Sequence, residues 1–257
     1  GCSAPERGVH WIKRRIFTKK AWLCVHSETA LLAGMLLGLT SFWNGAAVIG
    51  GLLILMGFAV FSDGKLDYLI LAVTSVIFSV LQTKIFIWGN AVSPSFYWGF
   101  LSENKSITGV LWYLIQMSGV FFVGAVLIEF FLRERRQRAA LVSFFFPLIF
   151  AFSMSLTPDI AVNHKYIMIA YAFLAIFWSL AVLKLFQRKI GGRIVAVLLT
   201  IALSITGIYD FVVILKDNDS GHRVTVNMRS EVTEWLAQHL DHNDLILTPE
   251  YSINEVT

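Results

Sequence analysis

Residues 157–165 read TPDIAVNHK and bring a carboxylate (Asp159), an amide (Asn163), an imidazole (His164) and an ammonium (Lys165) close together in the chain. Lysine offers a point charge and histidine a titratable donor, a pairing that suits an anionic lipid headgroup. The segment lies between two apolar stretches, 139–156 and 166–186, so its polar side chains sit at the lip of a bilayer. A charge at the bilayer centre costs about 2.5 kcal/mol or more, and at the lip that cost falls. The plain alternative for Lys165 is a snorkelling anchor, and for the nearby Trp and Tyr residues an interfacial belt. A second polar set, Glu103, Asn104 and Lys105, lies in the loop 88–108 beside the aromatic run SPSFYWGF at 93–100. Aromatic faces stack on sugar rings and aliphatic chains, so this loop reads either as a substrate loop or as a surface loop lying in the headgroups. Asn44 and Asp210 complete the polar positions expected on the same face.

The elements that hold these residues are membrane spans. The chain has 257 residues, 56% hydrophobic, 14% aromatic and only 15% charged. Its mean hydropathy is +0.68, whereas a soluble domain carries about 25% charge. The pattern predicts an all-α polytopic membrane protein of about seven transmembrane helices, at 21–42, 46–61, 68–87, 109–132, 139–156, 166–186 and 194–215. The first block is interrupted by His26, Ser27 and Glu28, and the second spans only with little tilt or a thinned bilayer.

Three basic clusters give one orientation: residues 1–20 with Arg7, Lys13, Arg14, Arg15, Lys19 and Lys20, the run RERRQR at 133–138, and QRKIGGR at 187–193. Basic loops stay in the cytoplasm, which sends 43–45, 88–108, 157–165 and the tail to the outer face. The expected domains are a cytoplasmic basic segment 1–20, a multi-span domain 21–215 and the start of an extracytoplasmic α/β domain at 216–257. In that tail Val232, Trp235, Leu236 and Leu240 share a helical face over 229–240, with Asn227 as a cap, and 245–247 reads as a buried strand. About forty residues cannot bury a core, so the tail reads as stopping within a fold. The start reads as internal to a longer chain or as a trimmed one, because no signal-peptide order of charged, apolar and small residues occurs.

Other classes are excluded or weakened by what is missing. There is no Walker loop, no GxGxxG after a strand, no HExxH and no zinc spacing of cysteines, and Cys2 and Cys24 do not form a disulfide framework. No basic run interleaved with aromatics occurs in a soluble segment, so no nucleic-acid partner is expected. Glu129, one turn before Arg133, is expected to pair with the basic cluster, and Gly34, Gly38, Gly50 and Gly51 with close helix packing.

The order of spans, the FWNG turn at 42–45, Ser93-Pro94 and Trp98-Gly99-Phe100 in the long loop, and Thr157-Pro158-Asp159 to Asn163-His164-Lys165 resemble bacterial polytopic glycosyltransferases. That family is the GT-C superfamily, which includes protein mannosyltransferases and aminoarabinose transferases. The resemblance implies transfer of a sugar from a polyprenyl-phosphate donor to a glycan, lipid or protein acceptor outside the cytoplasmic membrane. It implies His164 and Lys165 toward the lipid phosphate, Asp159 and Asn163 positioning sugar, acceptor or a divalent cation, and Glu103 and Lys105 as further substrate-binding residues. In the family a carboxylate on the first outer loop acts as general base. No Asp or Glu stands near Trp43, so that loop is expected to precede this sequence, and the chain alone is expected to be inactive. The reading from another class is a transporter or flippase of a lipid-linked or anionic substrate, which would carry ionisable residues near the bilayer midplane. A membrane scaffold with purely anchoring residues is the third.

Overall fold

In the computed structural model, residues 17–86, 94–219 and 231–240 are described. Residues 1–16, the loop positions 88–93, the Asn227 cap and the strand expected at 245–247 lie outside them. The chain is mostly helical and forms two compact units, Gly1–Val197 and Leu198–Thr257.

In chain order the described helices are α1 (Ser27–Leu39), α2 (Gly45–Phe61), α3 (Lys65–Phe86), α4 (Ile107–Ser118), α5 (Phe121–Glu129), α6 (Arg135–Phe144), α7 (Phe146–Ser153), α8 (His164–Phe186), α9 (Ile190–Asp219) and α10 (Glu231–His239). Two short strands, β1 (Ser95–Phe96) and β2 (Met154–Ser155), pair antiparallel with Ser95 opposite Ser155 and Phe96 opposite Met154. The division between the units falls inside α9. In the second unit, α10 stacks Trp235 on His239 one turn later, with ring centroids 4.4 Å apart.

The first three helices show why small residues stand where they do. Ala30, Gly34 and Gly38, four apart, are buried on one stripe of α1. A Cβ on Gly34 would lie 2.7 Å from the Leu71 carbonyl oxygen, and one on Gly38 would lie 2.6 Å from that of Ser75. Backbone therefore meets backbone between α1 and α3, the close approach that small residues permit in membranes. Ser75 Oγ donates to the Gly34 carbonyl at 3.0 Å and seals the contact. The polar turn before α3 is equally structural. Lys65 is buried and its Nζ donates to the carbonyls of Ala59 at 2.6 Å and Ser62 at 2.7 Å, groups that the end of α2 leaves without helical partners. Asp67 accepts the backbone N–H groups of Val25 at 3.1 Å and His26 at 3.2 Å, which pins the entry to α1.

Three of the expected spans are built differently from a single rod. Within the stretch 21–42 the α-helix starts only at Ser27, inside the polar run His26-Ser27-Glu28, after a 3-10 turn at Lys19–Ala21. The stretch 109–132 is two helices, α4 and α5, bent by 103°. The cause is Gly119, whose φ of +57° and ψ of −129° end α4 in a conformation that side-chain-bearing residues rarely adopt. The stretch 139–156 starts early, at Arg135, and breaks at Phe145, because Pro147 has no N–H to give and crowds the preceding turn. Among the described residues three helices are long and apolar enough to cross a membrane, Lys65–Phe86, Ile160–Phe186 and Ile190–Lys216, and α4 with α5 makes up to a fourth. Ser27–Phe42 and Gly45–Phe61 are apolar but shorter. By length and composition these helices could span a membrane.

Candidate functional site

The polar segments singled out above meet at the end of α7. A helix leaves its last carbonyls without internal partners, and buried carbonyls must find donors elsewhere. Here Ala151 takes Nδ2 of Asn163 at 3.0 Å, Phe152 takes the N–H of Gly99 at 2.8 Å, and Ser153 takes the N–H of Tyr97 at 3.1 Å. Nδ2 of Asn163 also donates to Met154 O at 2.6 Å. The loop before α4 and the segment before α8 thus dock on one helix end, and the β1–β2 pairing extends the seam. Asn163 is only 1% exposed. Both of its amide hydrogens are used on backbone, so as a donor it has nothing left for a ligand.

The loop before α4 is stitched internally. Gly99 (φ +87°) and Phe100 (φ +48°) turn the chain through left-handed conformations, uncommon for a bulky residue such as Phe. The turn delivers the Phe100 ring into the core, 5.7 Å from Phe152 and 6.4 Å from Tyr113. Lys105 holds the turn, its Nζ donating to Phe100 O at 2.9 Å and lying 4.7 Å from the centre of the Tyr97 ring. Trp98 Nε1 donates to Lys105 O at 2.9 Å. Asn104 Oδ1 accepts the N–H of Ser106 at 2.9 Å, and Ser106 Oγ in turn caps α4 through Gly109 N at 3.1 Å. Glu103 is exposed on this loop.

In the segment before α8, Ser155 Oγ donates to Thr157 O at 2.6 Å and Thr157 Oγ1 to Asp159 O at 2.8 Å. Asp159 Oδ1 accepts the N–H of Ala161 at 2.9 Å and caps a 3-10 turn, Ile160–Asn163. His164 and Lys165 are exposed in the first turn of α8, while Tyr166 and Ile167 after them are buried. His164 Nδ1 lies 2.8 Å from Ala161 O. A carbonyl only accepts, so the proton sits on Nδ1 and Nε2 is the acceptor of the neutral ring. A carboxylate oxygen of Asp159 at the start of the 3-10 turn, and an imidazole nitrogen and an ammonium at the start of α8, are therefore exposed along one seven-residue segment, 159–165.

Asp159, His164 and Lys165 lie on the segment that leads into α8, Asn163 between them holds that segment on the end of α7, and Glu103 and Lys105 belong to the loop docked on the same helix end. No hydrogen bond joins those two loop residues to Asp159, His164 or Lys165 among the described residues. Asn44 has another use: its side chain accepts Ala47 N at 3.2 Å and caps α2. Asp210 is exposed on α9. Among the described residues no three His, Cys, Asp or Glu side chains gather as a metal site. A magnesium ion is commonly held by one or two carboxylates plus substrate phosphate oxygens, and Asp159 could provide one such ligand.

Sequence reasoning did not foresee the backbone donors Tyr97 and Gly99, which carry no side-chain signal. It also did not foresee a cleft of about 430 Å³ at the first turns of α1 and α3, with Leu23, Val25 and Leu71 on its walls and His26, Asp63 and Asp67 among its polar groups. There Cys24 Sγ donates to Asp67 Oδ1 at 3.3 Å. Comparison with protein-family models, with curated proteins and with solved structures finds no match to the chain.

Proposed function

We propose that the chain is the membrane portion of a polytopic glycosyltransferase of the GT-C type, which moves a sugar from a polyprenyl-phosphate donor to an acceptor at the outer face of the cytoplasmic membrane. In this reading it crosses the bilayer seven times, keeps its three basic clusters inside, and begins an α/β domain outside from Lys216. The observation that carries the reading is the docking of two loops on the end of α7, which leaves Asp159, at the start of the 3-10 turn Ile160–Asn163, and His164 and Lys165, in the first turn of α8, exposed on one short supported segment. Rigid support of charged groups at the place where charge develops is what transferase chemistry needs.

In the reaction an acceptor hydroxyl oxygen bonds to the anomeric carbon and gives its proton to a carboxylate general base, the role the family assigns to its first outer loop, while the bond from that carbon to the phosphate oxygen breaks and the polyprenyl phosphate leaves with the electron pair. Lys165 Nζ offers a charge to that phosphate, and His164 in its protonated form a second donor through Nε2. Asp159 orients the sugar, the acceptor or a divalent cation, and Glu103, exposed on the loop before α4, is a further substrate-binding residue. Lys105 acts by holding the loop, since its ammonium is committed to Phe100 O and the Tyr97 ring.

The test is sugar transfer by the full-length protein in membranes containing a polyprenyl-phosphate-linked donor, comparing wild type with His164→Ala and Lys165→Ala. A fall of about 10²-fold or more in either variant, at equal expression and insertion, is the expected size for loss of one charge-stabilising group. Undiminished transfer in both returns the segment to an interfacial anchor. A second reading, a transporter or flippase of a lipid-linked or anionic substrate, draws on the broken α4–α5 pair, since interrupted helices are characteristic of transport sites. Ser118, Gly119 and Val120 at the break carry no charge, which weighs against it. Donor flipping in vesicles without sugar transfer would favour it.

A further inference from the structure

The first unit brings two basic loops to one rim. Phe150 packs on Tyr166, and Phe144 on Phe173 at 4.8 Å and Phe177 at 5.9 Å, so α6–α7 and α8 run in opposite directions. Stepping nine residues from Phe144 back to Arg135 descends about 13 Å, and seven from Phe177 on to Lys184 about 10 Å. The start of α6 and the end of α8 are therefore level. Arg138 Nε meets Glu129 Oε1 at 2.7 Å, which fastens the end of α5 to the same place.

Arg133, Arg135 and Arg136 on one side, and Lys184, Arg188 and Lys189 on the other, are exposed and have no ion-pair partner among the described residues. Against them stand Glu134 and Glu129, and the second is already engaged by Arg138. Large apolar side chains adjoin both sets: Phe130 is 77% and Phe131 79% exposed just before Arg133, and Ile190 is 78% exposed just after Lys189. A row of cations bordered by exposed aromatic and aliphatic groups matches the boundary between phosphate headgroups and acyl chains.

We propose that this rim is a binding surface for the phosphate headgroups of anionic phospholipid, with the cations of residues 133–136 and 184–189 around the phosphate and Phe130, Phe131 and Ile190 in the acyl region. The surface is independent of sugar transfer, because its readout is lipid association. Purified protein is reconstituted in phosphatidylcholine bilayers, and the preference for spin-labelled phosphatidylglycerol over spin-labelled phosphatidylcholine in the motionally restricted shell is measured. Each cation near an anionic surface is worth about fivefold.

Replacing Arg135→Gln with Arg136→Gln, or Arg188→Gln with Lys189→Gln, should lower the preference by up to about 25-fold, and the fourfold variant should abolish it. The lysine set Arg135→Lys, Arg136→Lys and Arg188→Lys should keep it. A fourfold glutamine variant with wild-type preference would overturn the proposal, as would displacement of the labelled lipid by inorganic phosphate as effectively as by unlabelled phosphatidylglycerol. If the glutamine variant does not fold, wild type decides. Loss of the preference at about 1 M salt, where screening acts within about 3 Å, supports the surface, and persistence refutes it.

Discussion

Replacing Asn163 by alanine removes a buried side chain that serves two backbone carbonyls, Ala151 in the last turn of α7 and Met154 just after it. Its amide donates to Ala151 O at 3.0 Å and to Met154 O at 2.6 Å from a position that is 1% exposed, so water has little access to take over. A buried polar group left without its partner costs about 1–3 kcal/mol, and two give about 2–6. An ordered water filling the space vacated by the amide would return part of this, which brings the expected loss to about 3 kcal/mol. For a chain of this size 1 kcal/mol moves a melting midpoint by about 2–4 °C, so a drop of about 6–12 °C is expected in thermal unfolding in lipid nanodiscs. Asn163→Gln keeps the donors but lengthens the side chain, and should lose as much or nearly as much if geometry matters. The local sign is a protease sensitivity that rises in the loop before α4 and in the segment before α8 together, since both dock there. An Asn163→Ala protein with an unchanged midpoint, or with only one of the two loops loosened, would refute the account of this junction.

Gly38→Leu should destabilise the α1–α3 pair by about 1–3 kcal/mol, because the new Cβ would meet the Ser75 carbonyl, which cannot swing away. Gly45→Ala, where a Cβ meets nothing within 4 Å, should stay within about 0.5 kcal/mol, and equal midpoints for the two variants would sink the packing argument. The hydrogen bond to Asp67 pushes the Cys24 thiol above its ordinary range, helped by partial desolvation and by the charge of that carboxylate. Thiolate is the reactive form, so in a Cys2→Ser background alkylation of Cys24 should rise only at higher pH than for a free thiol, and Asp67→Asn should bring the midpoint down. An unmoved midpoint in Asp67→Asn would disprove the coupling.

What could be read from residue order was what depends on composition and short spacing. The apolar stretches marked where helices form, though three of the seven expected ones are broken or shortened; Gly34 and Gly38 read as close-packing positions, with α3 as the partner only the structure reveals; and Glu129 pairs within the basic run. That the partner is Arg138 rather than Arg133 depends on the turn between α5 and α6, which charge spacing does not define. The break at Gly119 was hidden because a glycine inside an apolar helix is usually tolerated, and only its φ and ψ show that the helix stops. Asn163 read as a ligand for a substrate because its type permits both uses. Its commitment to α7 follows from the tertiary position of two carbonyls. His164 and Lys165 read as loop residues and lie in a helical turn, since Asp159 caps the 3-10 turn that leads into α8. The pairing of β1 with β2 spans two residues on each side, too short to leave a periodic pattern.

The hydrogen bonds at the end of α7 also set an order of events. Tyr97 and Gly99 emerge from the ribosome well before the carbonyls of Ser153 and Phe152 that receive their N–H groups, and Asn163 emerges soon after. Until α7 is in place, the loop before α4 has only water for those donors, and closing it requires the whole α4–α7 excursion to return. Its formation is therefore late and contingent, although its residues are early. A nascent chain arrested after α6 should present that loop to protease, and one arrested after α8 should not. Damage anywhere along α4 to α7 will thus surface first as a disordered loop some distance away, where quality-control proteases would recognise it.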